Sequence, residues 1–221
     1  MEQVLKLYVC GPTVYDESHI GHARTYMTVD IFNRIMNLLD NKTTQLVMNI
    51  TDIDDKIIAK AKTANGDWRS IAKQYEKSFL DDMSNLDVKL PDVIIRVSDV
   101  VPEIIAYIQK IIDNGFAYIS DDNSVYFDTE EYIKQGYHFD GTLDDEITSQ
   151  KKNKADFALW KGRSSDDIGF DAEFNSNGNK ILAYGRPGWH IECSAMIHET
   201  IVANLDIHFG GIDLKFPHHI K

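Results

Sequence analysis

Cysteine is scarce. Cys10 and Cys193 are the only two in 221 residues, and they stand far apart. No paired C-x-x-C spacing exists, so the chain carries neither a disulfide framework nor a self-evident metal knuckle. Two such thiols read either as ordinary buried cysteines or as ligands that folding brings together. Basic charge is also short: 23 Lys and Arg face 35 Asp and Glu, for a net charge of −12. That excludes a generic nucleic-acid surface, which shows a basic footprint, and leaves open a local basic site or an RNA partner held by another segment. No apolar run approaches the ~18–20 residues that span a membrane. Met1-Glu2-Gln3-Val4 has no basic start and no apolar stretch, so no secretory signal is expected. Repeats and low-complexity tracts are absent. With 43% apolar and 26% charged residues, the composition is that of a soluble globular protein. Its length suits one large domain, or one domain with an insertion.

The stretch from Leu7 to His22 is the most informative. Leu5, Leu7 and Val9 lead in as a buried strand, and Gly11-Pro12 must end it, because Pro has no ladder donor. His19 and His22 stand three apart at the mouth of a helix, where both rings can face one way. A strand running into a helix N-terminus is suited to phosphate, and an imidazole pair there can hold charge that builds during reaction. Taken in isolation, a pair of this kind reads first as two polar loop residues.

Beyond it, Gly21 to Leu39 reads as a helix, with Ala23, Tyr26, Met27, Ile31, Ile35 and Leu38 as its buried stripe and Asp40-Asn41 as its close. Thr43 to Ile50 reads as a second strand, giving a strand–helix–strand unit of a parallel nucleotide-binding sheet. Asp52, Asp54 and Asp55 then cluster where strand meets helix. They read either as ligand-facing acids at a strand's carboxyl end or as helix caps, with Thr51 or Asp52 as the cap. Trp68 to Leu86 and Val101 to Asn114 are amphipathic helices, and 116–119 with 124–127 forms a hairpin about a polar turn. From Asp128 to Asn179 the chain is polar, with Asp156 to Lys161 as its apolar island, and reads as an insertion. Gly185 to His190 reads as a loop, Ile191 to Ala203 as a helix, and Leu205 to Phe209 as a short strand.

Several separated motifs together resemble the N-terminal part of the cysteinyl-tRNA synthetases, a family of class I aminoacyl-tRNA synthetases. Cys10-Gly11-Pro12-Thr13-Val14-Tyr15-Asp16 precedes His19-Ile20-Gly21-His22, and Asn49 to Lys56, Asp156 to Lys161, Gly185 to Met196 and Asp213 to His219 complete the likeness. The wording of Arg96 to Gly115 looks most like the eukaryotic-type branch. The resemblance implies an α/β fold: a Rossmann-like parallel nucleotide-binding sheet with a mixed α+β connective insertion. Breakers near Pro91 and Gly185 then bound its parts: residues 1–90 as the first half of the catalytic domain, 91–182 as the insertion and 183–221 as the start of the second half.

The same resemblance implies the site. Cys10, Cys193 and His218 match ligands of a zinc ion; the family's fourth, a glutamate, is expected four residues past His218, beyond Lys221, and His219 is a possible helper. His19 and His22 match the catalytic pair on the ATP phosphates, and Gly11, Thr13, Gly21, His208, Gly210 and Asp213 complete the ATP-binding set. Cys10, Thr51 and Trp189 match the pocket for substrate cysteine. Phe209 replaces the first glycine of the family's usual His-Gly-Gly-Gly, which alters the adenine pocket. The implied activity is ATP-dependent ligation of cysteine to tRNA(Cys), with zinc as cofactor, magnesium accompanying ATP, and a cytoplasmic location without membrane association. The Lys-Met-Ser-Lys-Ser loop and the helical tRNA-binding region of the family are not in this stretch, so a fragment with little or no charging activity is expected. Two other readings fit the same residues: a related ligase passing cysteine to an amino-sugar acceptor, and a non-catalytic zinc- or nucleotide-binding module.

Overall fold

The computed structural model describes residues 4–38, 42–139, 150–201 and 204–211. The elements, in order, are β1 (Leu5–Val9), α1 (Ile20–Leu38), β2 (Thr44–Ile50), α2 (Asp55–Thr63), α3 (Trp68–Asn85), β3 (Val93–Arg96), α4 (Val101–Asp113), β4 (Ala117–Ile119), β5 (Val125–Phe127), α5 (Thr129–Lys134), β6 (Ala158–Gly162), β7 (Phe170–Ser176), β8 (Asn179–Pro187), α6 (Trp189–Thr200) and β9 (Ile207–Phe209). They fall into two compact units. Among the described residues, one joins those up to Val100 to Ile197–Gly211, and the other is formed by those of Val101–Met196.

The first unit is built on a four-stranded sheet in the order β3-β2-β1-β9, parallel throughout. The inner strands β1 and β2 are buried almost continuously rather than alternately, as strands of a parallel sheet covered on both faces are. Val9 pairs with Met48 on one side and Phe209 on the other, so β1, β2 and β9 deliver the residues that follow them to one rim. β3, inside the segment read from sequence as insertion, is an outer strand of this sheet.

The face that α1 buries differs from the expected stripe. Tyr26, Val29, Asp30 and Asn33 face the core, whereas Met27, Ile31, Ile35 and Leu38 are 40%, 55%, 40% and 77% exposed. Polar residues fill the inner face because each has a partner there. Asp30 holds Arg34 at 2.8 Å, and Asn33 Oδ1 accepts the Thr44 hydroxyl at 2.6 Å. Periodicity marks an apolar face but not which face meets the sheet. Leu39 and the expected closing pair Asp40-Asn41 lie outside the described residues. The caps differ too. Asp54, not Thr51 or Asp52, opens α2 by accepting the Lys56 amide at 2.8 Å, and Asp67 caps α3.

The second unit carries an antiparallel sheet, β4-β5-β6-β8-β7, with α4 against it through Val101, Ile104, Ile108 and Ile112. The expected hairpin is β4–β5. A second hairpin, β7–β8, lies where the sequence read as polar insertion and loop. Asn177 and Gly178 sit at its tip with φ of 51° and 78°. An Asn-Gly pair between strands is the expected turn chemistry, so this element was legible from sequence. The late helix begins at Trp189, two residues before the expected start.

Candidate active site

The carboxyl rim of the parallel sheet gathers the first group of candidate residues. The Cys10 amide donates to the Phe209 carbonyl at 2.9 Å, and the Tyr26 hydroxyl donates to the Cys10 carbonyl at 3.0 Å. β9 and α1 thus hold Cys10 from two sides, and its Sγ lies 3.1 Å from His208 Nε2. Next to it, a Cβ on Gly11 would fall 1.5 Å from the Asn49 carbonyl oxygen, so only glycine fits. Asn49 is 2% exposed, and its Oδ1 accepts from the Gly11 amide at 2.9 Å and from the buried Tyr8 hydroxyl at 3.0 Å. Its Nδ2 donates to the Thr51 hydroxyl at 3.3 Å.

Pairing continues past the strand ends. Thr51 donates its amide to Pro12 and accepts from Val14, each at 3.1 Å, and Thr13 and Thr51 form a parallel bridge. Three candidate residues, Gly11, Thr13 and Thr51, are therefore joined through Asn49 and the backbone. Asn49 and Tyr26 were not singled out from sequence. An asparagine at the end of a buried apolar strand was the available signal, since a buried amide needs partners.

His19 and His22 open α1 with their rings stacked, centroids 4.0 Å apart and planes 24° apart. Each ring accepts a backbone N–H at Nδ1: His22 from the His19 amide at 3.2 Å, His19 from the Gly21 amide at 3.1 Å. A Cβ on Gly21 would come within 2.8 Å of the His19 ring, which explains the glycine inside the motif. With Nδ1 accepting, each neutral ring carries its proton on Nε2 and presents it as a donor. Burial, then the charge of His19, holds the His22 pKa below its ordinary value, which favours the neutral form.

The loop leading to this pair is tied down. Lys60 reaches Asp16 at 3.0 Å and lies 4.1 Å over the Tyr75 ring, Lys56 lies 5.2 Å over the Tyr15 ring, and Ser78 donates to Glu17. Asp52, expected among ligand-facing acids, instead accepts the Ser98 amide at 2.9 Å and the Ser98 hydroxyl, linking the ends of β2 and β3.

Trp189 and Cys193 lie on α6, Trp189 part-exposed at its first turn and Cys193 buried. Gly210 is exposed just after β9. Asp213, His218 and His219 lie outside the described residues. Among the described residues no cluster of three or more His, Cys, Asp or Glu forms a metal site. Cys10 and Cys193 are both buried cysteines, a donor chemistry that fits zinc.

Solved structures that match this architecture include aminoacyl-tRNA synthetases. A Mycobacterium tuberculosis methionyl-tRNA synthetase in complex with methionyl-adenylate matches with a TM-score of 0.62 at 12% identity, over 92% of this chain and 49% of that one. A putative arginyl-tRNA synthetase from Campylobacter jejuni matches with a TM-score of 0.59 at 12% identity, over 99% of this chain and 49% of that one. The fold is that of a class I aminoacyl-tRNA synthetase catalytic domain. The model for tRNA synthetases class I (C) catalytic domain matches residues 1–221, and the chain belongs to that family. It is 56% identical over 227 residues to a cysteine–tRNA ligase of Acanthamoeba polyphaga mimivirus, covering 98% of this chain and 45% of that protein. It is 44% identical over 234 residues to a cytoplasmic cysteine–tRNA ligase of Dictyostelium discoideum, covering 97% of this chain and 34% of that protein. The chain thus spans less than half the length of these relatives. Among the described residues no helix is long and apolar enough to cross a membrane.

Proposed function

We propose that this chain is the cysteine- and ATP-binding catalytic part of a cytoplasmic cysteine–tRNA ligase. One observation carries the reading: two stacked imidazoles at the start of α1 each offer an Nε2 donor, on the unit whose sheet rim holds Cys10 and Thr51. The names of the relatives, cysteine–tRNA ligase, support the choice of amino acid.

In this reading His19 and His22 hold the ATP phosphates, with Gly11, Thr13, Gly21, His208, Gly210 and Asp213 around the nucleotide. Magnesium accompanies ATP as part of the substrate. The carboxylate of cysteine attacks the α-phosphorus, pyrophosphate leaves, and cysteinyl-adenylate results. The terminal ribose hydroxyl of tRNA(Cys) then attacks the adenylate carbonyl, releasing AMP. No protein nucleophile is required, so the chain's task is positioning and stabilisation of phosphate charge.

Cys10, Cys193 and His218 would hold zinc, with a glutamate past Lys221 as fourth ligand, and Thr51 and Trp189 would line the cysteine pocket. Zinc, when bound, supplies a soft acceptor for the substrate thiolate that a serine hydroxyl or an aliphatic side chain satisfies poorly. A site built on one strong polar contact can reject analogues lacking it by roughly 10⁴–10⁵-fold. We read residues 91–182, apart from β3 and the turn that follows it, as the connective insertion between the two halves of the catalytic domain.

Calorimetric titration of the zinc-loaded chain with cysteine, and with serine as control, tests this reading. Binding of cysteine with no measurable binding of serine is the expected result, lost in Cys193→Ser. Equal affinity for the two amino acids, or wild-type selectivity in Cys193→Ser, would overturn it.

A further inference from the structure

Away from the histidine pair, the first unit holds an open cleft of about 730 Å³ where α3 faces the ends of β2 and β3. Trp68, Ala72 and Leu80 form its apolar wall, and Asp52 and Ser98 lie at its base. Its cationic lining stands out in a chain of net charge −12: Arg69, Lys73, Lys77 and Arg96 against Asp52 and Glu76.

These charges are not equally available. Arg96 is held by both carboxylate oxygens of Glu76, its Nε at 3.0 Å, and Lys77 is paired with Asp81 one turn along α3. Asp52 is occupied by Ser98. Arg69 and Lys73 are exposed and make no ion pair among the described residues. Arg69 lies 4.4 Å over the Trp68 ring, which stiffens it without neutralising it. From Arg69 to Lys73 the helix advances about 6 Å at ~1.5 Å per residue, so the two charges reach neighbouring phosphates rather than crowd onto one. Cations strung along a helix beside an open cleft suit successive phosphates of a strand better than one small anion.

We infer that this cleft binds the phosphodiester backbone of the RNA substrate, with Arg69 and Lys73 making the phosphate contacts. The inference rests on the tRNA substrate proposed above and adds a surface on this part of the chain to the recognition expected elsewhere in the family. In a chain of net charge −12, these local cations would also orient the approaching RNA.

The test measures binding of a tRNA(Cys) transcript to the 221-residue chain across a salt series, by fluorescence anisotropy. Arg69→Gln/Lys73→Gln should weaken binding about tenfold and lower the slope of log K against log salt by about 2, close to one unit per lost phosphate contact. Lys42→Gln/Lys89→Gln removes the same charge just before β2 and β3, at the opposite ends of those strands, and should leave both quantities unchanged. Arg69→Lys should retain the slope. All the substituted side chains are exposed, and unchanged circular dichroism and thermal midpoint will show that the variants fold. An unchanged slope in the cleft variant, an equal loss in the control, or no tRNA binding by the unsubstituted chain would overturn the inference. So would cleft-dependent binding of inorganic tripolyphosphate with tRNA affinity unaltered. Cysteine and ATP titrations on the same variants keep the two readings apart: their failure would strike the catalytic assignment, while the salt slope alone judges the cleft.

Discussion

The missing Cβ of Gly11 would lie 1.5 Å from the carbonyl oxygen of Asn49, and the side chain of the same asparagine accepts the Gly11 amide at 2.9 Å. The end of β1 and the end of β2 are thus interlocked through one glycine and one amide. Gly11→Ala cannot be relieved by turning a side chain, because the obstacle is backbone. A loss of at least about 3 kcal/mol is expected, together with loss of cysteine binding. Asn49→Ala should cost about 2–4 kcal/mol, since it strands the Gly11 amide and the buried Tyr8 hydroxyl. Urea denaturation of both variants decides this, and a Gly11→Ala protein of wild-type stability would contradict the interlock.

His22 should titrate below the ordinary histidine value of 6.5, because burial and then the charge of His19 oppose its protonation. The native state therefore binds this proton more weakly than the unfolded chain does. The stability involved is fully present above the unfolded value and is lost as pH falls through the depressed folded value. His19→Asn removes the second cause, so the His22 midpoint should rise towards the ordinary value. Proton NMR of the imidazole resonances measures both, and a His22 midpoint at or above 6.5 in the unsubstituted chain would contradict the stacked geometry.

In the second unit, Asp156 is fully buried and accepts four hydrogen bonds: from the Tyr118 hydroxyl at 2.8 Å, the Thr129 amide at 3.0 Å, the Thr129 hydroxyl at 2.7 Å and the Asn153 amide at 3.0 Å. Asp156→Ala should destabilise by about 3–5 kcal/mol, as the Thr129 amide and hydroxyl, both buried, and two part-buried donors lose a charged acceptor. Burial first, and the facing carboxylate after it, push the Tyr118 phenol well above its ordinary pKa. Alkaline ultraviolet titration should find Tyr118 ionising at lower pH in the variant than in the unsubstituted chain.

The two sides of α1 give opposite expectations. Val29→Ala, on the buried face, should cost about 1–3 kcal/mol. Ile31→Gln and Leu38→Gln, on the exposed face, should each stay within about 0.5 kcal/mol of the unsubstituted chain. A large loss in the glutamine variants would mean that the apolar stripe is the buried face after all. Thermal denaturation of the three proteins compares them directly.

What was legible in the residues is what local chemistry decides. Gly11-Pro12 ends a strand, His19 and His22 open a helix, and the apolar run of β2 marks a strand buried on both faces. The α/β class and the family likeness follow from such short-range features, and the Asn177-Gly178 pair marks the turn of the second hairpin. Other features depended on contacts between distant segments. Cys10 meets His208 across 198 residues, Asn49 closes on Gly11 across 38, and Asp52 turns to Ser98 rather than capping α2. The inner face of α1 is polar because Asn33 and Asp30 find partners there. Sequence by itself determined the kinds of elements and the motif that opens the site, since turns, caps and periodicity act within a few residues. Only tertiary structure decided which side chains share the rim, because strand register and the pairing of buried polar groups are settled between segments far apart in the chain.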